Sequence, residues 1–118
     1  MPKKVSASRA ALPRRRNDLG EAFASISPEA AAFVARNPAL RGKLLRAAER
    51  LGEFFPARPA HLRRYEDPES GEWDLFVEMQ PGRDLEKDYA NLRALENRWI
   101  HDREDPKLEF TFSFHFGR

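Results

Sequence analysis

Cysteine is absent from this chain of 118 residues, and its absence excludes several kinds of site together. Disulfides, thiolate metal sites and cysteine nucleophiles are all ruled out, as is usual for a protein of a reducing compartment. The sequence also has no apolar run long enough to span a membrane, and its N-terminus lacks the apolar segment of a secretory signal. We therefore expect a cytoplasmic protein.

Motifs that carry known chemistry are missing as well. There is no Gly-rich phosphate loop, no G-x-S-x-G elbow and no Ser-x-x-Lys pair. No recognisable base accompanies the serines Ser25, Ser27 and Ser113, and the histidines His61, His101 and His115 do not have the spacing of metal ligands. The sequence thus favours a non-enzymatic protein without cofactor or metal. The alternative is an enzyme whose carboxylates or histidines, such as His61 and His115, meet only in the fold.

Charge is distributed in blocks that the net value of +2 conceals. Residues 17–35 sum to −3, residues 36–64 to +6 and residues 65–118 to −7. The first sixteen residues contain no acid but six bases, Lys3, Lys4, Arg9, Arg14, Arg15 and Arg16. This polarity indicates a basic end that seeks a polyanion or an acidic partner.

The length allows one domain preceded by an arm. We predict a disordered basic arm over residues 1–17 and a single α+β domain over residues 18–118, with a helical part (18–56) and a ββαβ part (57–118). Arginine and alanine each occur sixteen times against five lysines, which is typical of a GC-rich bacterial genome and is a second explanation for the many arginines.

Two capped helices are predicted in the first part. Ser27-Pro28-Glu29 has the residues of a helix start, and this helix should run to about Arg36. Asn37-Pro38 repeats the signal, and an apolar stripe then runs from Leu40 to Phe55 before Pro56. In front of them, the spacing of Leu19, Phe23 and Ile26 allows one more short helix.

The second part alternates between apolar and polar residues, as strands do. Strands are predicted from His61 to Glu66 and from Trp73 to Gln80, joined by a turn at Asp67-Pro68-Glu69-Ser70-Gly71. Asp84 can cap a helix with an apolar side that includes Leu85, Tyr89, Leu92, Leu95 (or Glu96) and Trp99. The last strand should span Leu108 to Phe116.

These elements predict an α+β fold in which two N-terminal helices precede a ββαβ unit. The sheet should be three-stranded and mostly antiparallel, with the helices on one face. A right-handed crossover returns the last strand parallel to the second, from where it can add beside the first strand in the order 2-1-3. Placement beside the second strand, in the order 1-2-3, is the alternative.

The outward sheet face offers a candidate protein-binding surface. Polar positions there are interrupted by aromatic ones, a composition found at modest interfaces and also on ordinary solvated sheets. The candidate residues are Arg63, Tyr65, Phe76, Glu78 and His115.

A nucleic-acid-binding surface is the alternative. On the second helix, Lys43, Arg46 and Arg50 fall on one side, opposite the apolar stripe. The arm adds Lys3, Lys4, Arg14, Arg15 and Arg16, which could contact phosphates without sequence preference. The helix residues could equally form a solvated face in which Arg46 and Arg50 pair with Glu49 and Glu53.

The stretch from Leu62 to Glu78, with its Asp67-Pro68-Glu69 turn, precedes a helix that bears Trp99. It resembles small bacterial α+β proteins that share a strand, a D-P-E turn, a second strand and a Trp-bearing helix. The resemblance implies the fold and no catalytic residue. We expect a protein-interaction or accessory subunit that binds another protein or itself, with an antitoxin-like partner of another bacterial protein as one candidate, and no membrane association.

Overall fold

A computed structural model describes residues 18–107 and 109–116. The predicted disordered arm, residues 1–17, lies outside the described residues. In chain order, the elements are α1 (Leu19–Ala22), β1 (Ser25–Ile26), α2 (Pro28–Arg36), α3 (Ala39–Phe54), β2 (Ala60–Glu66), β3 (Trp73–Met79), α4 (Leu85–His101) and β4 (Thr111–Phe114).

Two of the three predicted helix starts, at Ser27 and Asp84, make capping contacts, whereas α3 begins after Pro38 without a side-chain cap. The hydroxyl of Ser27 accepts from the amide of Ala30 at 3.2 Å and begins α2, which has Pro28 at its first position. The carboxylate of Asp84 accepts from the amide of Lys87 at 3.1 Å and begins α4. These side chains satisfy amides that have no partner within the first helical turn.

In the part of the chain that the structure describes, the sheet has four strands in the order β1-β2-β3-β4, so the prediction of three strands is wrong. The strand that the sequence did not indicate is β1, only two residues long, which pairs in parallel with β2. β2 and β3 are antiparallel, whereas β3 and β4 are parallel. The sheet is therefore not mostly antiparallel.

The position of β1 explains why β4 lies beside β3. The amides of Ala24 and Ser27 donate to the carbonyls of Ala60 and Leu62, so the free edge of β2 is already occupied. The crossover through α4 then places β4 at the remaining edge, and the preferred order 2-1-3 is replaced by its alternative.

The helices pack on one face of the sheet, as predicted. The buried core joins Leu62, Val77 and Met79 of the sheet to Leu44 of α3 and Leu95 of α4. The indole of Trp99 meets the rings of Phe110 and Phe112 at centroid distances of 5.7 and 5.4 Å. Among the described residues, no helix has the length and apolar character needed to cross a membrane.

Large apolar side chains at the start of β3 and in the first half of α4 are exposed. Trp73, at the start of β3, is 42% exposed, and Leu85 and Tyr89 of α4 are 43% and 40% exposed. The buried side of α4 is instead formed by Asp88, Leu92, Leu95 and Trp99, so its contact with the core is turned away from Leu85 and Tyr89.

Candidate functional site

The sheet face opposite the helices, called the outer face below, presents a row of polar side chains across all four strands. The backbone register aligns Ser25 with His61, His61 with Glu78, and Glu78 with Ser113. Because residues at matching positions of neighbouring strands project to the same side, these four side chains lie in one line. No helix within residues 18–107 and 109–116 supplies a hydrogen-bond or ion-pair partner to these four side chains.

The row begins with a short contact between strands. Ser25 Oγ lies 2.7 Å from His61 Nδ1, with both side chains partly buried. Burial, and to a smaller extent the positive charge of Arg63, lower the pKa of His61 below its usual value. The imidazole is therefore neutral at pH 7, and Nδ1 can accept the hydroxyl proton of Ser25 as a hydrogen bond.

Glu78 is the polar centre of the outer face. It is only 7% exposed although it lies on a face without a helix. The hydroxyl of Tyr65 donates to its Oε1 at 3.1 Å, and His115 Nδ1 lies 3.8 Å from the same oxygen. Burial, and to a smaller extent this contact with Glu78, raise the pKa of the Tyr65 hydroxyl. The hydroxyl therefore stays protonated and donates to Glu78.

An aromatic pair lies beside this polar cluster. The rings of Tyr65 and Phe76 have centroids 5.5 Å apart at an angle of 52°. Arg63 is the backbone partner of Phe76 on the neighbouring strand, and its guanidinium donates to the carbonyl of Leu62 at 3.4 Å. The five residues predicted as protein-binding candidates thus share the outer face.

The predicted approach of the two histidines depended on pairing of β2 with β4, and β3 separates those strands. His61 and His115 instead lie on either side of Glu78. Within the parts of the chain that the structure describes, no group of three His, Cys, Asp or Glu side chains could hold a metal ion.

The basic side chains Lys43, Arg46 and Arg50 on one side of α3, called the basic ridge, are paired with carboxylates. Lys43 lies 3.3 Å from Asp105 and 2.5 Å from Glu109, and Arg46 lies 2.6 Å from Glu104. Arg50 contacts Glu104, Asp102 and also Glu53, which was the partner expected from the sequence. These ion pairs attach α3 to the segment before β4. The arm residues Lys3, Lys4, Arg14, Arg15 and Arg16 lie outside the described residues.

Two buried carboxylates are held by specific donors away from the outer face. Asp105 accepts from the amide of Glu109 at 2.6 Å and pairs with Lys43. Asp88 accepts from the amide of Gly82 at 2.6 Å and lies 3.0 Å from Arg58 Nη1. Burial opposes the ionisation of Asp88, but the Gly82 amide and the Arg58 guanidinium outweigh it and keep its pKa below the usual value.

Sequence reasoning missed the pairing of Ser25 with His61. Thirty-six positions separate the two residues, and the only local signal, a serine in front of the Ser27 cap, does not distinguish a strand from a loop. The comparisons with known families, characterised proteins and solved structures find no match for this chain.

Proposed function

We propose that this chain is a protein-interaction module that binds another protein through the outer face of its sheet. The observation that carries this proposal is the Tyr65–Phe76 ring pair beside the Tyr65–Glu78–His115 cluster, on a face to which no described helix contributes contacts. Aromatic and arginine side chains supply most of the energy at protein interfaces, and a surrounding polar rim excludes water.

The chemistry of the face indicates what the partner presents. The tilted rings of Tyr65 and Phe76 offer an apolar surface, and Tyr65 is 41% exposed. Arg63 has no carboxylate within salt-bridge distance in the described part of the chain, whereas the acid Glu78 is already bound by Tyr65. The fitting partner therefore places an apolar side chain on the ring pair and a carboxylate against Arg63. In this proposal the chain is an accessory subunit, of which the antitoxin of a bacterial pair is one type.

Site-specific photocrosslinking in the native cell tests the proposal. A benzophenone side chain at position 76 should give one reproducible adduct with a protein other than this chain. The control position is Asn97, an exposed residue of α4. If position 76 gives no adduct, or gives only those seen at position 97, the outer face is not a binding surface.

A second candidate is acyl transfer, favoured by the contact of 2.7 Å between Ser25 Oγ and His61 Nδ1. In such a reaction the imidazole takes the hydroxyl proton as Ser25 attacks an ester carbonyl, and it returns that proton to the leaving alcohol as the acyl–oxygen bond breaks. Water then hydrolyses the acyl-serine, which releases the acid and restores the Ser25 hydroxyl. The neutral imidazole at pH 7 supports a role as base.

An activated ester such as p-nitrophenyl acetate separates the two functions. Turnover that disappears in Ser25→Ala and in His61→Gln, but persists in Phe76→Ala, supports acyl transfer. Turnover that is equal in wild type and Ser25→Ala removes that candidate and leaves the binding proposal intact.

A further inference from the structure

The β4 edge of the sheet lacks the charges and prolines that commonly protect an edge strand. From Phe110 to Phe116 the sequence reads F-T-F-S-F-H-F, with no Asp, Glu, Lys, Arg or Pro. Edge strands of monomeric proteins are commonly blocked by charges, prolines or bulges, because their free backbone groups can pair with another strand. Within residues 18–107 and 109–116, β4 is the last strand of the sheet order and presents such an edge.

Exposed apolar side chains are concentrated on the same side of the molecule. Two of them, Leu85 and Tyr89, are on α4, and the ring of Tyr89 meets that of Phe114 of β4 with centroids 5.4 Å apart. At about 100° per residue, Leu85, Tyr89, Glu96 and Ile100 fall on one stripe of the helix. Ile100 is 63% exposed and Phe116, just beyond β4, is 54% exposed.

The stripe is on the flank of α4 that faces away from α3. Asn91 on the opposite flank donates to the carbonyl of Phe54 at the end of α3, whereas Tyr89 reaches β4. The stripe and the β4 edge are therefore continuous. Of the six large apolar side chains that are exposed among the described residues, this surface carries four, namely Leu85, Tyr89, Ile100 and Phe116.

We infer that this surface binds a second copy of the chain, with β4 pairing antiparallel to its own copy across a two-fold axis and α4 packing against α4. A two-fold axis perpendicular to the sheet keeps all helices on one side and joins two four-stranded sheets into one. The inference is independent of the proposed function, because the outer face is not part of this surface.

The positions along α4 fit this symmetry. Tyr89 contacts Phe114, and Trp99 contacts Phe110 and Phe112, so the middle of β4 lies near the middle of α4. Antiparallel helices related by an axis there place Leu85 of one copy near Ile100 of the other, and Tyr89 near Glu96. Each pair occurs twice, as an isologous interface requires.

Charge also fits a second copy better than an unrelated partner. Burial raises the pKa of Glu96, and neither Glu96 nor Arg93 has an ion-pair partner within residues 18–107 and 109–116. Both lie on the flank that would face the second copy. The two-fold brings the Tyr89 hydroxyl and Arg93 of one copy towards the Glu96 carboxylate of the other, so one surface supplies both the acid and its donors.

The backbone of β4 has the pattern needed for this pairing. The amide of His115 donates to the carbonyl of Met79 on β3, and in a parallel ladder the inward-bonding residues alternate. Ser113 and Thr111 therefore bond to β3, while the amides of Phe112 and Phe114 point to the free edge. Pairing Phe112 with Phe114 of the second copy closes two hydrogen-bonded rings.

Light scattering on the purified full chain tests the inference. Wild type should have about twice the 13.7 kDa mass of one chain. Ile100→Glu adds a charge at an exposed position, so it should fold normally by circular dichroism and have the mass of a monomer. Ala90→Glu, at an exposed position on the solvent side of the same helix, should remain a dimer.

Amide exchange measured by NMR tests the strand pairing itself. The amides of Phe112 and Phe114 should exchange at least tenfold more slowly in wild type than in Ile100→Glu. A monomeric wild type, a dimeric Ile100→Glu or a monomeric Ala90→Glu would overturn the inference. Equal exchange of these amides in the two oligomeric states would overturn the pairing of β4.

Discussion

Ser25 Oγ and His61 Nδ1 lie 2.7 Å apart, and this contact joins the two-residue strand β1 to β2 by side chains as well as by backbone. A strand of two residues forms few ladder bonds, so its position depends strongly on such additional contacts. Since β1 occupies the edge of β2 and thereby leaves β4 only the edge of β3, the contact helps to determine the order of the sheet.

Stability should depend on pH through His61. Its pKa is lowered in the folded state, so below the ordinary histidine pKa of about 6.5 the unfolded chain binds more protons, and stability falls as pH falls. Urea unfolding at pH 7.5 and 5.5 should show a smaller loss of stability in His61→Gln than in wild type. His101→Gln, at a side chain that is 84% exposed, is the control and should keep most of the wild-type difference.

Asp88→Asn should destabilise the fold at pH 7 by about 1–3 kcal/mol, because it leaves Arg58 without its carboxylate. The pKa of Asp88 is depressed in the folded state, so its contribution is present above the unfolded pKa and is lost as pH falls through the folded pKa. Urea unfolding between pH 7 and pH 3 measures both effects. Asp74→Asn is the matched exposed control and should change stability by less than about 0.5 kcal/mol.

Asp105→Ala should loosen the segment before β4 from α3. The Asp105 side chain is fully buried and holds both the Glu109 amide and Lys43, so its removal should cost about 1–3 kcal/mol of unfolding free energy. Hydrogen exchange at the Glu109 amide should accelerate as well. Lys107→Ala, at an exposed position of the same segment, should leave that amide unchanged; an equal effect of both variants would show that Asp105 does not hold the segment.

The helices could be predicted from the sequence because their signals are local. Ser27 and Asp84 each cap an amide three residues away, and that distance is visible in the sequence. The strand β1 could not be predicted, because Ser25 and Ile26 have no alternation of their own and become a strand only by pairing with His61 and Leu62.

The candidate site was predicted only as a face. Alternation placed Arg63, Tyr65, Phe76 and Glu78 together, but it could not reveal that Glu78 is almost fully buried by its neighbours. For the basic ridge, the sequence suggested an unpaired surface that the structure does not have. Lys43, Arg46 and Arg50 look free in the sequence because most of their carboxylate partners lie more than fifty positions later, on a segment that only tertiary packing brings to α3.

Binding to a random DNA duplex should depend on the arm rather than on α3. The ridge cations are neutralised by carboxylates, so a chain that lacks residues 1–16 should show no binding at physiological salt. Fluorescence anisotropy with a labelled duplex measures this. Lys107→Ala in the full chain is the control for loss of a single exposed cation. Undiminished binding by the truncated chain would show that the folded domain, and not the arm, binds the duplex.

The affinity of the crosslinked partner for Phe76→Ala tests the binding proposal most directly. Titration calorimetry with the purified partner should show at least a tenfold weaker complex for this variant, since loss of a central aromatic contact costs about 2 kcal/mol or more. Trp73→Ala removes an exposed ring of the same strand from the helix side and should bind as wild type does. An affinity of Phe76→Ala within twofold of wild type, with the fold intact, would contradict the proposal that the outer face is the binding surface.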